Sequence, residues 1–176
     1  MKKIFLLLIL INFISCTKKQ DLFKKQAQDL LKPFKVELKG GLQGHMKKGG
    51  PVDALHACNI LSPELLKKHN LKGYTIGRTS HKLRNPLNTP EKWLLPLLDE
   101  YVPSTMKNPM AGKVIVRDDF MAYVEPIYIQ GICLTCHGTN VPDIVMDEIK
   151  ILYPQDKALD FKLGEFRGFF WVKAPR

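Results

Sequence analysis

The 176-residue sequence is short of several things, and each shortage narrows the reading. Only four cysteines are present, with a single Cys-x-x-Cys pair, Cys133 and Cys136. A structural zinc site takes four ligands, usually from two such pairs. His45, His56, His69 and His81 show no metal-ligand spacing, so zinc is disfavoured. The apolar run Ile4–Ile11 falls well short of the about 20 residues that cross a bilayer. Acidic residues are scarce, 17 against 27 Lys and Arg, for a formal net charge of +10. No zinc-finger, RNA-binding or basic-helix pattern accompanies that excess, and no nucleic-acid partner is expected. An acidic partner or an anionic membrane uses the charge equally well. There is no internal repeat and no low-complexity tract. With hydrophobic content at 45%, the chain has enough apolar surface for one folded domain.

The N-terminus, MKKIFLLLILINFISC, has two lysines, an apolar run and small polar Ser15 before Cys16. That is the plan of an export signal. Phe13 departs from the usual aliphatic residue of a lipoprotein signal. Residues 1–15 are expected to be a signal peptide of lipoprotein type, with Cys16 the first mature residue and lipid-bearing. Residues 16–24 then form a tether and 25–174 the folded domain. The product is periplasmic or in the cell envelope, held at a membrane surface by its anchor.

Apolar residues from Phe23 to Leu42 recur every three or four positions with lysines between them, which predicts an amphipathic helix. Gly49-Gly50-Pro51 stops it. A second helix is expected over 52–60, and Ser62-Pro63 opens a third. Tyr74, Ile76 and Arg78 alternate like a short strand. Thr89-Pro90-Glu91 caps a helix interrupted by Pro96. KVIVR (113–117) and FMAYVEPIYI (120–129) read as strands around an Asp118-Asp119 turn. Pro126 points to an edge or a bulge. Residues 142–152 look helical and 165–174 look like a last strand. Helices first, then antiparallel strands, give an α+β class.

Cys133-Leu-Thr-Cys136-His137 carries the chemistry. Attachment of a c-type haem needs two thiols that reach two vinyl groups on one porphyrin edge, followed by a histidine for the iron. Cys133 and Cys136 would form the thioethers and His137 the proximal bond, giving one covalent haem c. A redox dithiol wants its first cysteine at a helix N-terminus in a strand–helix unit, whereas loop-like Gly138-Thr139-Asn140 follows this pair. A disulfide between Cys133 and Cys136 closes a very small ring and adds little stability. Cys58 is left as a lone thiol. It is either a small buried hydrophobe or a ligand, with His56, Met46 and Met110 as rivals for the iron. Arg78, Lys82, Arg84 and Asn85 form a basic loop, either solvated or in contact with haem propionates. Tyr153, Phe161, Phe169, Phe170 and Trp171 line a pocket or pack a core.

ALHAC (54–58), GRTSHKLRNPLNTP (77–90), CLTCHG (133–138) and YPQDKALDFKLGEFRGFF (153–170) occur in one order. Together they resemble the single-haem c-type sensor domain family of PAS-like fold, the Tll-type haem domain. The resemblance covers about residues 25–174. It implies a central antiparallel sheet of about five strands flanked by helices, with the haem held against it. It also implies iron ligated by His137 on one side and Cys58 on the other. Glycine is usual in the family where this chain has Asp160, which affects a local turn. The function implied is sensing of redox state or a small haem ligand, with a separate redox or signalling protein as partner. The alternative is a periplasmic electron-transfer cytochrome. An enzyme such as a peroxidase needs a distal acid–base group, for which His56 is the nearby candidate. No acid–base pair is legible, and the expectation is no enzyme.

Overall fold

The computed structural model describes residues 17–71 and 73–176. The expected signal peptide and Cys16 lie outside the described residues. Among those that are described, no helix is long and apolar enough to cross a membrane.

The first element is α1 (Lys2–His69), described from Thr17 onward. It is two helical arms, because Gly50 adopts φ 75° and ψ −164° inside it. That backbone conformation favours glycine, and Pro51 follows as the first residue of the second arm. The arms fold back on one another. Glu37 meets Lys68 at 2.7 Å and His69 at 3.1 Å, His45 meets Asp53 at 2.8 Å, and Leu61 packs where Gly41 lacks a side chain. The expected break at Gly49–Pro51 is therefore the tip of a helical hairpin. The expected start at Ser62-Pro63 is not a boundary, because the second arm runs through it. Proline removes one backbone bond there, but Ala54, Leu55, Ser62 and Leu65 remain buried along the arm. From Thr17, the segment expected as a tether is helical, and Phe23 is buried in the core.

The strands are β1 (Thr75–Thr79), β2 (Lys113–Val116), β3 (Phe120–Tyr128) and β4 (Phe166–Pro175). They form one antiparallel sheet in the order β1-β4-β3-β2. Among the described residues the sheet has four strands, against an expectation of about five. Those four are the segments read as strands from the sequence; the fifth came from the resemblance alone. Along β3 the period of two is kept: Met121 and Tyr123 face α1, while Ala122 and Val124 face the other side. There α2 (Leu95–Tyr101) buries Leu97, Leu98 and Tyr101. Pro96 lies in the first turn of α2 and starts the helix rather than interrupting it. Pro126 sits in an interior strand, not at a sheet edge. The register of β2 on β3 ends at Val124, so the missing N–H of Pro126 costs no ladder bond on that side. A register shift follows between Ile127 and Tyr128.

Two short helices complete the fold, α3 (Leu134–His137) and α4 (Asp143–Leu152). Val145 and Ile149 of α4 pack with Leu55 of the second hairpin arm and with Tyr153. The end of β4 closes tightly on β1. At Gly168 the backbone has φ 148°, and a Cβ would lie 2.1 Å from the Thr79 carbonyl oxygen. This approach seats the neighbouring Arg167 against Ser80.

Candidate functional site

The hairpin, the ends of β1 and β3, the Cys133–His137 segment and Tyr153 enclose a cavity of ≈ 430 Å³. That is within the range of about 300–1,000 Å³ usual for cofactor pockets. Cys58, Cys133, Cys136 and His137 all line it. Cys58, Cys133 and Cys136 are free thiols. Cys133 ends a 3-10 turn (Gly131–Cys133) and caps α3, so Cys136 and His137 follow within one turn of helix. Among the described residues, no three His, Cys, Asp or Glu side chains converge closely enough to hold a bare metal ion. The donors border a shared space without closing on a point, an arrangement that suits a large planar group better than zinc.

The ring of His137 is fixed by its neighbour. Its Nδ1 donates to the Ala158 carbonyl oxygen at 2.7 Å. That bond sets the tautomer and leaves Nε2 without a proton. Burial, then Arg167 and Arg84, hold the imidazole well below its ordinary pKa, so it is neutral. Burial pushes the Cys58 thiol up, while Arg78 and Arg84 pull it down. His56 is not on the cavity wall. Its Nε2 pairs with Glu148 of α4 at 3.0 Å. Met110 packs in the core beside α2, whereas Met46 lines the cavity from the first hairpin arm.

Of the basic loop, Arg78, Arg84 and Asn85 reach the cavity. Lys82 points elsewhere, with Nζ bonded to the Leu159 carbonyl at 3.0 Å. Asn85 also caps the turn Pro86–Asn88 by accepting the Leu87 N–H at 2.9 Å. The guanidinium of Arg84 is committed to protein. It bonds Asp156 at 2.9 and 3.2 Å and the Cys136 carbonyl at 2.6 Å, which ties the Cys-x-x-Cys segment down. Arg78 is the opposite case: its Nε is buried without a partner. Tyr153 and Phe170 line the cavity, while Phe161, Phe169 and Trp171 pack in the cores.

Arg167 was not anticipated. It lines the cavity and donates to Ser80 Oγ at 2.6 Å and the Lys82 carbonyl at 3.0 Å. Burial, with Arg78 and Arg84 close by, pushes its pKa down to about 9. Three arginines thus crowd one end of the cavity, and Asp156 is the carboxylate that offsets them.

The family model for Tll0287-like proteins matches residues 15–175. The chain belongs to the Tll0287-like family. Among solved structures, that of the cyanobacterial heme-protein Tll0287 is similar in fold, with a TM-score of 0.62 at 20% identity. The match covers 89% of this chain and 96% of that one. No curated protein matches. The family read from the four sequence stretches is thus the one found.

The position at which the resemblance implied a glycine is informative in this Tll0287-like chain. Among the described residues, Asp160 is the one non-glycine residue with positive φ, at 60°. The turn is therefore kept, in a region that aspartate tolerates better than most residues. It holds the site together, since the Asp160 and Phe161 N–H groups donate to the carbonyls of Gly138 and His137 at 3.2 and 2.9 Å. Asp160→Val should cost about 1–3 kcal/mol, while Asp160→Gly should be neutral or stabilising. Thermal unfolding of the two variants checks this, and equal losses would contradict it.

Proposed function

We propose that this chain is an exported, lipid-anchored protein with one covalent haem c in a PAS-like domain, which senses redox state or a small haem ligand. The observation that carries the reading is the meeting of Cys58 with Cys133, Cys136 and His137 around one cavity. The fit extends to charge. A haem carries two propionates, and the cavity has a cationic end with an unpaired buried donor on Arg78. A haem would supply an iron that changes charge and binds small ligands. The chain would supply the rest. Cys133 and Cys136 would hold the porphyrin by thioethers, and His137 would offer Nε2 to the iron. Cys58 would present a thiolate from the second hairpin arm. Arg78 and Arg167 face the propionates, and Arg84 positions the attachment segment through the Cys136 carbonyl.

A thiolate favours the ferric state and is readily lost on reduction or protonation. Loss or exchange of the Cys58 bond is then the signal, handed to a separate protein. The test is the ferric absorption spectrum of holo-protein made with a c-type maturation system, beside Cys58→Ala. Thiolate features that vanish in the variant support the reading, and identical spectra would make Cys58 a packing residue. One observation favours a second reading, a periplasmic electron carrier: Met46 lines the same cavity, and Met–His ligation suits a stable carrier. That reading requires methionine ligation in both oxidation states. We propose no enzymatic role. His56, the acid–base candidate, is turned towards Glu148.

A further inference from the structure

The hairpin brings two unspent sulfur donors to the cavity, one from each arm. Once Cys133 and Cys136 are assigned to the porphyrin, Cys58 on the second arm and Met46 on the first remain. The other methionines of the described residues lie elsewhere: Met110 and Met121 pack in the two cores on either side of the sheet, Met106 is exposed, and Met146 is half-buried on α4 outside the cavity lining. Between the two arms lies Gly50, the break in helical geometry, with the His45–Asp53 ion pair across it. The residues that line the cavity from the first arm, Leu38, Leu42 and Met46 among them, recur at helical spacing. Met46 is therefore at the tip end of that lining stripe, next to the hinge.

We propose that Met46 replaces Cys58 on the iron when the iron is reduced. The inference rests on the haem reading above and names the exchange partner. The physical reason is charge and softness. An anionic thiolate is held best by ferric iron. A neutral thioether suits the softer ferrous ion and raises the potential at which it is stable. In the exchange, iron takes one electron from an external one-electron donor. The Cys58–iron bond breaks with its electron pair left on Sγ, which takes a proton from water. A lone pair on Met46 Sδ makes the new bond. The iron's attachment passes from the second hairpin arm to the first, so reduction changes which arm is tethered to the domain centre. The change is then mechanical as well as electronic.

The test uses holo-protein, wild type, Met46→Leu and Cys58→Ala, ferric and then reduced with dithionite. Met46→Leu conserves volume, and an unchanged melting temperature checks its fold. The ferric spectrum of Met46→Leu should match wild type. Reduced wild type should be six-coordinate and low-spin, with one methionine methyl proton resonance far upfield. Reduced Met46→Leu should lose that resonance, become five-coordinate, and bind carbon monoxide at least about tenfold faster, because no internal ligand has to leave first. Absence of the upfield resonance from reduced wild type overturns the proposal, as does an unchanged ferrous spectrum in Met46→Leu. A methionine resonance in both oxidation states also overturns it, since Met46 would then be a permanent ligand. Failure of the haem reading looks different: the ferric spectrum would lack any thiolate feature that Cys58→Ala removes.

Discussion

Asp156→Ala should cost about 3–5 kcal/mol, the usual loss when one partner of a buried ion pair is removed. For a chain of this size that is a fall in melting temperature on the order of 10 °C. The carboxylate is 5% exposed and the Arg84 side chain 10%, so water cannot take its place. Asp156 accepts from Arg84 Nε and from a terminal nitrogen, and its Oδ1 also accepts the Ala158 N–H at 2.9 Å. Removing it leaves Arg84 buried beside Arg78 and Arg167 with only carbonyl partners. It also loosens the Ala158 backbone, whose carbonyl orients His137. The loss should shrink when haem is attached, because two propionates then supply negative charge at the same end. Chemical denaturation of holo- and haem-free protein measures both terms. A loss below about 1 kcal/mol in the haem-free form would mean that the arginines are solvated, not packed against one another.

These residues also show where sequence reading succeeds and stops. β1 was legible from the alternation of Tyr74, Ile76 and Arg78, and β2, β3 and β4 from short runs rich in β-branched and aromatic residues bounded by turn residues. That Cys133, Cys136 and His137 share one site was legible because the chemistry expected of them fixes a spacing within five residues. The hairpin was only half legible. Gly49-Gly50-Pro51 announced a break, but nothing local says that the arms fold back; that depends on contacts such as Glu37 with Lys68 and Gly41 with Leu61. Pro63 and Pro96 misled because proline marks the first turn of a helix but does not by itself say whether the helix began earlier. Arg167 was hidden inside residues 165–174, read only as a last strand. The available signal was the reverse: a charged residue in the middle of an apolar strand needs a buried partner, and none was assigned. Asp156 was passed over because its partner, Arg84, lies 72 residues away.

Arg78→Met should change sign between the two forms of the protein. In the haem-free chain Arg78 has a buried donor with no acceptor and a cationic neighbour in Arg167. An apolar side chain of similar length removes that desolvation penalty, so the haem-free form should gain about 1–3 kcal/mol. In the holo-protein the same substitution removes a partner from a buried propionate and should cost a similar amount. A single residue that is a liability in one state and a support in the other is the signature of a group placed for its ligand rather than for the fold. A second readout is independent of stability. A cation beside the porphyrin favours the less positive, reduced iron, so its loss should lower the reduction potential of the holo-protein. Unfolding curves of both forms, with a potentiometric titration of the holo-protein, decide the matter. The same sign of stability change in both forms would separate Arg78 from the haem and leave Arg167 as the propionate partner.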